Sequence, residues 1–181
     1  MNLLERVAAV LNGAGMAHAL IGAVALAAHG VARSTVDQDL LVADRACLSP
    51  TLWKPLEAEG IRVEIRRGDV SDPLAGVVRF EAPGERPLDL IVGKHAWQKR
   101  AIEKVAPQAS SPPGTPVVGL VDLILLKLYA GGPQDAWDIQ QLLAVEDRDG
   151  LAAEVEAELQ TLPPELSNLW KKITSSGWED R

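Results

Sequence analysis

The sequence predicts a mixed α/β core followed by an all-helical region. Three observations carry this. Short apolar runs with strand periodicity alternate with helical ones over roughly the first hundred residues, a proline-rich stretch interrupts them at 107–116, and only helical periodicity follows. The expected organisation is a core over 1–106 and a helical C-terminal region over 117–181 packed on it.

Leu3, Leu4, Val7, Val10 and Leu11 recur at helical spacing, so the first dozen residues form an amphipathic helix ending at Gly13 to Gly15. Ala19-Leu20-Ile21 reads as a short buried strand. Gly22 can bend it sharply into a second helix, Ala23 to His29, ended by Gly30. Asp37 to Val42 is the next strand, and Ser49-Pro50 opens a helix that runs to about Glu59 before Gly60. Ile61, Val63 and Ile65 alternate with Arg62, Glu64 and Arg66 in a half-exposed strand, and Gly76 to Phe80 has the same character. Pro83-Gly84 and Pro87 bracket a turn before a strand over Leu88 to Val92, and a basic helix runs from about Lys94 to Val105. Pro107 to Pro116, with four prolines, is the linker candidate. Beyond it, helices are expected over Leu120 to Tyr129, from near Pro133, over about Gly150 to Leu162, and over Pro164 to Thr174.

Bulk properties narrow the function. A chain of 181 residues with 47% hydrophobic and 24% charged content is ordinary for a soluble globular protein with a substantial interior. A formal net charge of -7 argues against coating nucleic acid through bulk charge. Cys47 stands alone, with no thiol partner for an internal disulfide, so a reducing, cytoplasmic location is the default. Met16 to Ala32 is apolar apart from His18 and His29, but it is short for a membrane span and rich in Ala and Gly, and reads as buried strand and helix. No membrane partner is expected. His18, His29 and His95 lack ligand spacing for zinc. Five dispersed tryptophans read as core or interface residues, with Trp178 the one expected to be exposed.

The chemistry concentrates in Asp37-Gln38-Asp39. Carboxylates at i and i+2 of an extended segment point to one face, and Asp89 in a second apolar strand could join them, giving the all-oxygen set that Mg²⁺ prefers. Alone, such a pair is common and usually solvated. Here it follows a strand, the Gly22-Ala23 turn, an Ala-rich helix and His29-Gly30-Val31-Ala32-Arg33-Ser34-Thr35. Arg33 could neutralise phosphate or simply pair with an acid, and Thr35 could fix the loop through its hydroxyl. Lys127 interrupts an otherwise apolar helix, and a buried lysine needs an acidic partner or an anion. Asp135 and Asp138 follow it, Asp135 in a first helical turn where the helix dipole alone would stabilise a carboxylate.

In this order the motifs resemble the nucleotidyltransferase superfamily that includes DNA polymerase beta and the minimal nucleotidyltransferases. Within it they look like the branch related to the AbiEii-type toxins, with "H-G-x-x-R-x-T", "D-x-D" and a "K-x-x-A … K-D-x-x-D" segment answered by Lys127 to Asp138. The resemblance implies a nucleotidyltransferase-type mixed β-sheet flanked by helices. It implies that Asp37 and Asp39 hold two Mg²⁺ ions bridging the triphosphate of an NTP, that Asp89 helps bind metal and activates the attacking hydroxyl, and that Lys127 completes the active site. Gly22, Ala23, Arg33, Thr35 and Asp135 would contact the nucleotide. The acceptor would be a hydroxyl of RNA or protein, and the toxin branch adds an antitoxin as a partner. Two departures stand out: Ala23 occupies a position that is usually Ser or Gly, and Gln134 replaces a Lys. They support an alternative, a catalytically inactive nucleotide-binding or interaction protein of this fold. A haloacid dehalogenase-type phosphatase ranks lower, because its acidic motif follows the apolar strand whereas Leu40-Leu41-Val42 come after the aspartates.

Overall fold

The computed structural model describes residues 1–33, 37–105, 114–145 and 148–175. Thr35, Trp178 and most of the proline-rich stretch lie outside them. The chain divides into two compact units, Met1–Ala25 with Ser34–Val118 and Leu26–Arg33 with Gly119–Arg181.

The first unit holds α1 (Leu3–Gly13), β1 (His18–Ile21), the start of α2 (Gly22–Ala28), β2 (Gln38–Val42), a 3₁₀ turn (Arg45–Leu48), α3 (Pro50–Ala58), β3 (Arg62–Arg67), β4 (Gly76–Glu81), β5 (Leu88–Val92) and α4 (Ala96–Glu103). The strands form one sheet in the order β1-β2-β5-β4-β3. Only β2 and β5 run parallel; the other pairs are antiparallel. The outer edge of β1 is partly covered, since Leu20 N–H donates to the Pro116 carbonyl at 2.7 Å and accepts from Val118 N–H at 3.0 Å through its own carbonyl. This mixed α/β architecture, a five-stranded mixed sheet with flanking helices, is consistent with the nucleotidyltransferase-type fold expected from the sequence.

Alternation makes the sheet two-faced. Leu40, Leu88, Leu90, Val78 and Phe80 are fully buried on one face, where Phe80 meets Trp53 of α3 edge-on at 4.8 Å. Burial of each such side chain contributes roughly 1.5–3 kcal/mol. The other face carries Asp39, Asp89, Arg79 and Glu64, aligned across four strands by register. Local signals fix the helices: Asn2 and Glu5 close a capping box on α1, and Gly60, with φ 83, ends the turn after α3.

Several boundaries differ from the expected ones: β2 begins at Gln38, with Asp37 just before it, and α2 spans Gly22–Ala28. The 3₁₀ turn had no apolar period to reveal it; Asp44 caps it by accepting from Ala46 N–H at 2.8 Å. The basic helix begins at Ala96 rather than Lys94, because the buried Gln98 side chain accepts the N–H groups of Lys94 and His95 at 2.8 and 2.9 Å. Cys47 is buried, and desolvation pushes its thiol up to about 12.

The second unit is helical: the end of α2, then α5 (Leu120–Ala130), α6 (Pro133–Val145), α7 (Arg148–Leu159) and α8 (Pro164–Ser175). α5 and α6 pack against each other and against α7 and α8, around Leu123, Ile124, Leu128, Ile139, Leu142, Val155 and Trp170. Gly131, with φ 68, closes α5 by donating to the Lys127 carbonyl at 2.9 Å. Trp53, Trp97 and Trp170 are core residues, whereas Trp137 is 41% exposed. Among the described residues no helix is long and apolar enough to cross a membrane.

Candidate active site

Two clusters of charge gather the residues singled out in the sequence, one in each unit. In the first, β2 and β5 lie side by side with Asp39 paired to Asp89, so the two carboxylates leave the sheet on the same face. Asp37 precedes β2 by one residue and reaches the same place, since Asp37 and Asp89 both bond Arg79. β1 ends opposite, with Ile21 in register with Asp39, and the chain then turns into α2 at Gly22. Gly22 has φ 61, and a Cβ built there would lie 2.1 Å from Asp39 Oδ2. The glycine therefore serves a left-handed turn and close approach of the Asp39 carboxylate at once. Ala23 follows it, buried at the start of α2.

Arg79, on β4, was not among the sequence candidates. Its Nη1 lies 2.9 Å from Asp89 Oδ2 and 3.4 Å from Asp37 Oδ2, and its Nε donates to Glu81 Oε1 at 3.1 Å. The sequence signal was present only as an arginine in a half-exposed strand; its partners depend on β4 lying next to β5. Burial pushes the Asp89 carboxyl up from its ordinary value, with the Arg79 charge pulling it down and the Asp37 charge adding to the rise.

Among the described residues no three or more His, Cys, Asp or Glu side chains are gathered closely enough to hold a metal ion by themselves. The donor chemistry nevertheless suits a hard divalent cation, because every candidate is a carboxylate. Arg79 Nη1 shows that Asp37 and Asp89 can share one cation. Of the three carboxylates expected to hold Mg²⁺, the structure brings Asp37 and Asp89 to one guanidinium and sets Asp39 level with Asp89.

The second cluster lies where α5 meets α6. Lys127 is 7% exposed and sits 3.1 Å from Asp135 Oδ1 and 2.6 Å from Asp138 Oδ2, with Asp138 fully buried. Arg33 Nε lies 3.5 Å from Asp138 Oδ1, and Gln134 Nε2 donates to the same oxygen at 3.3 Å. Asp135 also accepts from Gly132 N–H at 3.1 Å, as a first-turn carboxylate can. Arg33 thus stands beside an acid, and the buried Lys127 finds the acidic partners its burial requires. Thr35 lies outside the described residues.

No protein-family model matches the chain, and a search of curated proteins gives no match either. Among solved structures the chain is similar to the antibiotic-resistance factor ANT(2'')-Ia. Its solution structure aligns at 16% identity and a TM-score of 0.49, covering 96% of this chain and 90% of that one. Its crystal structure in complex with adenylyl-2''-tobramycin aligns at 16% identity and a TM-score of 0.49, covering 96% and 95%. Likeness at this level leaves the chemistry to be argued from the site.

Proposed function

We propose that the chain is a nucleotidyltransferase that moves a nucleoside monophosphate from an NTP to a hydroxyl of RNA or protein, with Mg²⁺ held by Asp37, Asp39 and Asp89. The observation that supports it most is the pairing of Asp39 with Asp89 on adjacent parallel strands, with Asp37 directed to the same place and a left-handed glycine turn against Asp39. When bound, the ions would stabilise the entering and leaving oxygens and the charge on the nonbridging phosphate oxygens.

The protein's own groups account for the rest. Asp39 and Asp37 fix the position of the triphosphate by fixing its counter-charge. The Gly22-Ala23 turn offers backbone rather than side chain to phosphate, since Ala23 has no hydroxyl. Asp89, with its carboxyl pushed up by burial, accepts the proton of the attacking hydroxyl. Lys127 and Asp135 enter this reading through the sequence resemblance, as do RNA or protein as acceptor and a toxin role with an antitoxin partner.

A second reading, a nucleotide-binding protein of this fold without turnover, is favoured by Ala23 and by Gln134, which bonds Asp138 where the family segment carries a lysine. One experiment separates the two. Wild type and Asp37→Asn/Asp39→Asn are incubated with each α-labelled NTP and Mg²⁺ in the presence of total RNA or total protein. Label transferred by wild type and reduced to background in the double variant is the expected result. Folded proteins that retain NTP without transferring label to either pool would favour the binding protein.

A further inference from the structure

We propose that β3 is a homodimerisation edge, to which a second copy of this chain adds its own β3 antiparallel about a two-fold axis through Ile65. The proposal goes beyond the reaction proposed above and does not depend on it. β3 is an edge strand of the sheet, paired with β4 on one side. Gly68 N–H donates to the Ala75 carbonyl at 2.9 Å, one step beyond the Arg67–Gly76 pair. Directly opposite residues exchange such bonds only at alternate pairs, so Arg62, Glu64 and Arg66 turn their N–H and C=O groups toward β4. Val63, Ile65 and Arg67 turn theirs outward, where no backbone group among the described residues meets them.

Identical strands that close on each other as a two-fold pair must run antiparallel. Outward groups must meet outward groups, so the axis passes through a residue and not between two. Charge then selects the residue. With Glu64 or Arg66 on the axis, each would face its own like charge. With Val63 there, Ile65 would face Ile61, whose N–H is already committed to the Leu56 carbonyl at 3.1 Å. With Arg67 there, Glu64 would face Val70, beyond the end of β3. Ile65 on the axis avoids all three faults. Ile65 meets the partner's Ile65, Val63 meets the partner's Arg67, and Glu64 faces the partner's Arg66. Glu64 also accepts from Arg66 Nε of its own chain at 2.8 Å, so the pairs of the two copies would join into one alternating cluster. The half-buried Val63 and Ile65 would lose their remaining contact with water. Charges that suit one register and oppose the others keep an open edge from pairing indiscriminately.

Sedimentation velocity of the full chain at concentrations up to about 1 mM should show a monomer–dimer equilibrium. Ile65→Pro removes an outward N–H and no bond to β4, so it should stay folded and monomeric. Arg66→Glu and Glu64→Arg each set like charges opposite one another, and each alone should dimerise about tenfold or more weakly than wild type. An equimolar mixture of these two variants should regain dimers, because each copy then faces opposite charges. Should Ile65→Pro fail to fold, the mixture decides. A wild type that sediments as monomer at every concentration overturns the proposal. So does a dimer that folded Ile65→Pro or Arg66→Glu leaves unweakened, or that the mixture fails to restore.

Discussion

Gly22 is held by two constraints: a backbone φ of 61 and an Asp39 oxygen 2.1 Å from where a Cβ would stand. Alanine there costs about 1–2 kcal/mol for the left-handed backbone alone, and its methyl group must also push the Asp39 carboxylate aside. Gly22→Ala should therefore lose at least that much stability in urea unfolding and more than tenfold in labelled-nucleotide transfer. Gly22→Ser should behave no better, because the strain comes from the Cβ rather than from polarity. The sequence showed Gly22 as a strand-to-helix turn and Asp39 as half of an acidic pair. That the two touch was not legible, because it depends on Ile21 and Asp39 being partners across β1 and β2.

At the scale of elements, β2 and β5 were readable because each is a short apolar run with an aspartate near its start, and the parallel register sets those aspartates level. Arg79 was not, since period-2 alternation reveals a strand but says nothing about its neighbours. The helices α5 and α6 present the reverse case. A lysine in an apolar helix announced the need for acidic partners, and Asp135 and Asp138 one and two turns beyond Gly131 supply them. Replacing Lys127 by Met fits the apolar surroundings but takes from Asp138, fully buried, its nearest cation; among the described residues Arg33 at 3.5 Å and the Gln134 amide at 3.3 Å remain. Breaking a buried pair in this way costs roughly 3–5 kcal/mol, so Lys127→Met should unfold at a clearly lower denaturant concentration than wild type. Lys127→Met/Asp138→Leu, with both charges removed, should recover much of the loss. A variant as stable as wild type would mean that Lys127 owes its place to something other than these acids.

At the scale of the whole molecule, the division of the chain departs from simple succession. Leu26–Arg33 belongs with Gly119–Arg181, although the sheet-bearing segment Ser34–Val118 is inserted between them. Within this second unit Arg33 pairs with Asp138, and Gly30 leaves just enough room for Val145, 3.0 Å from where its Cβ would be. Leu26 and Val31 are buried. A fragment of residues 1–118 would separate them from the rest of their compact unit, and it should give broad, poorly dispersed amide spectra or aggregate, whereas the full chain should give dispersed ones. Sharp, dispersed spectra from the fragment would show that the first unit closes without the second. The proline-rich stretch at 107–116 suggested a boundary in the sequence, but no compositional change marks the start of Leu26–Arg33, because Leu26 lies inside the apolar run of α2.

That interleaving imposes an order on biogenesis. The ribosome releases Leu26 and Val31 early, yet the helices of the same compact unit are translated only after every strand of the sheet has emerged. During that interval the nascent chain carries these two apolar residues without the rest of the compact unit to which they belong. Slower translation through Ser34–Val118 would lengthen the interval, and slower translation after Gly119 would postpone its end.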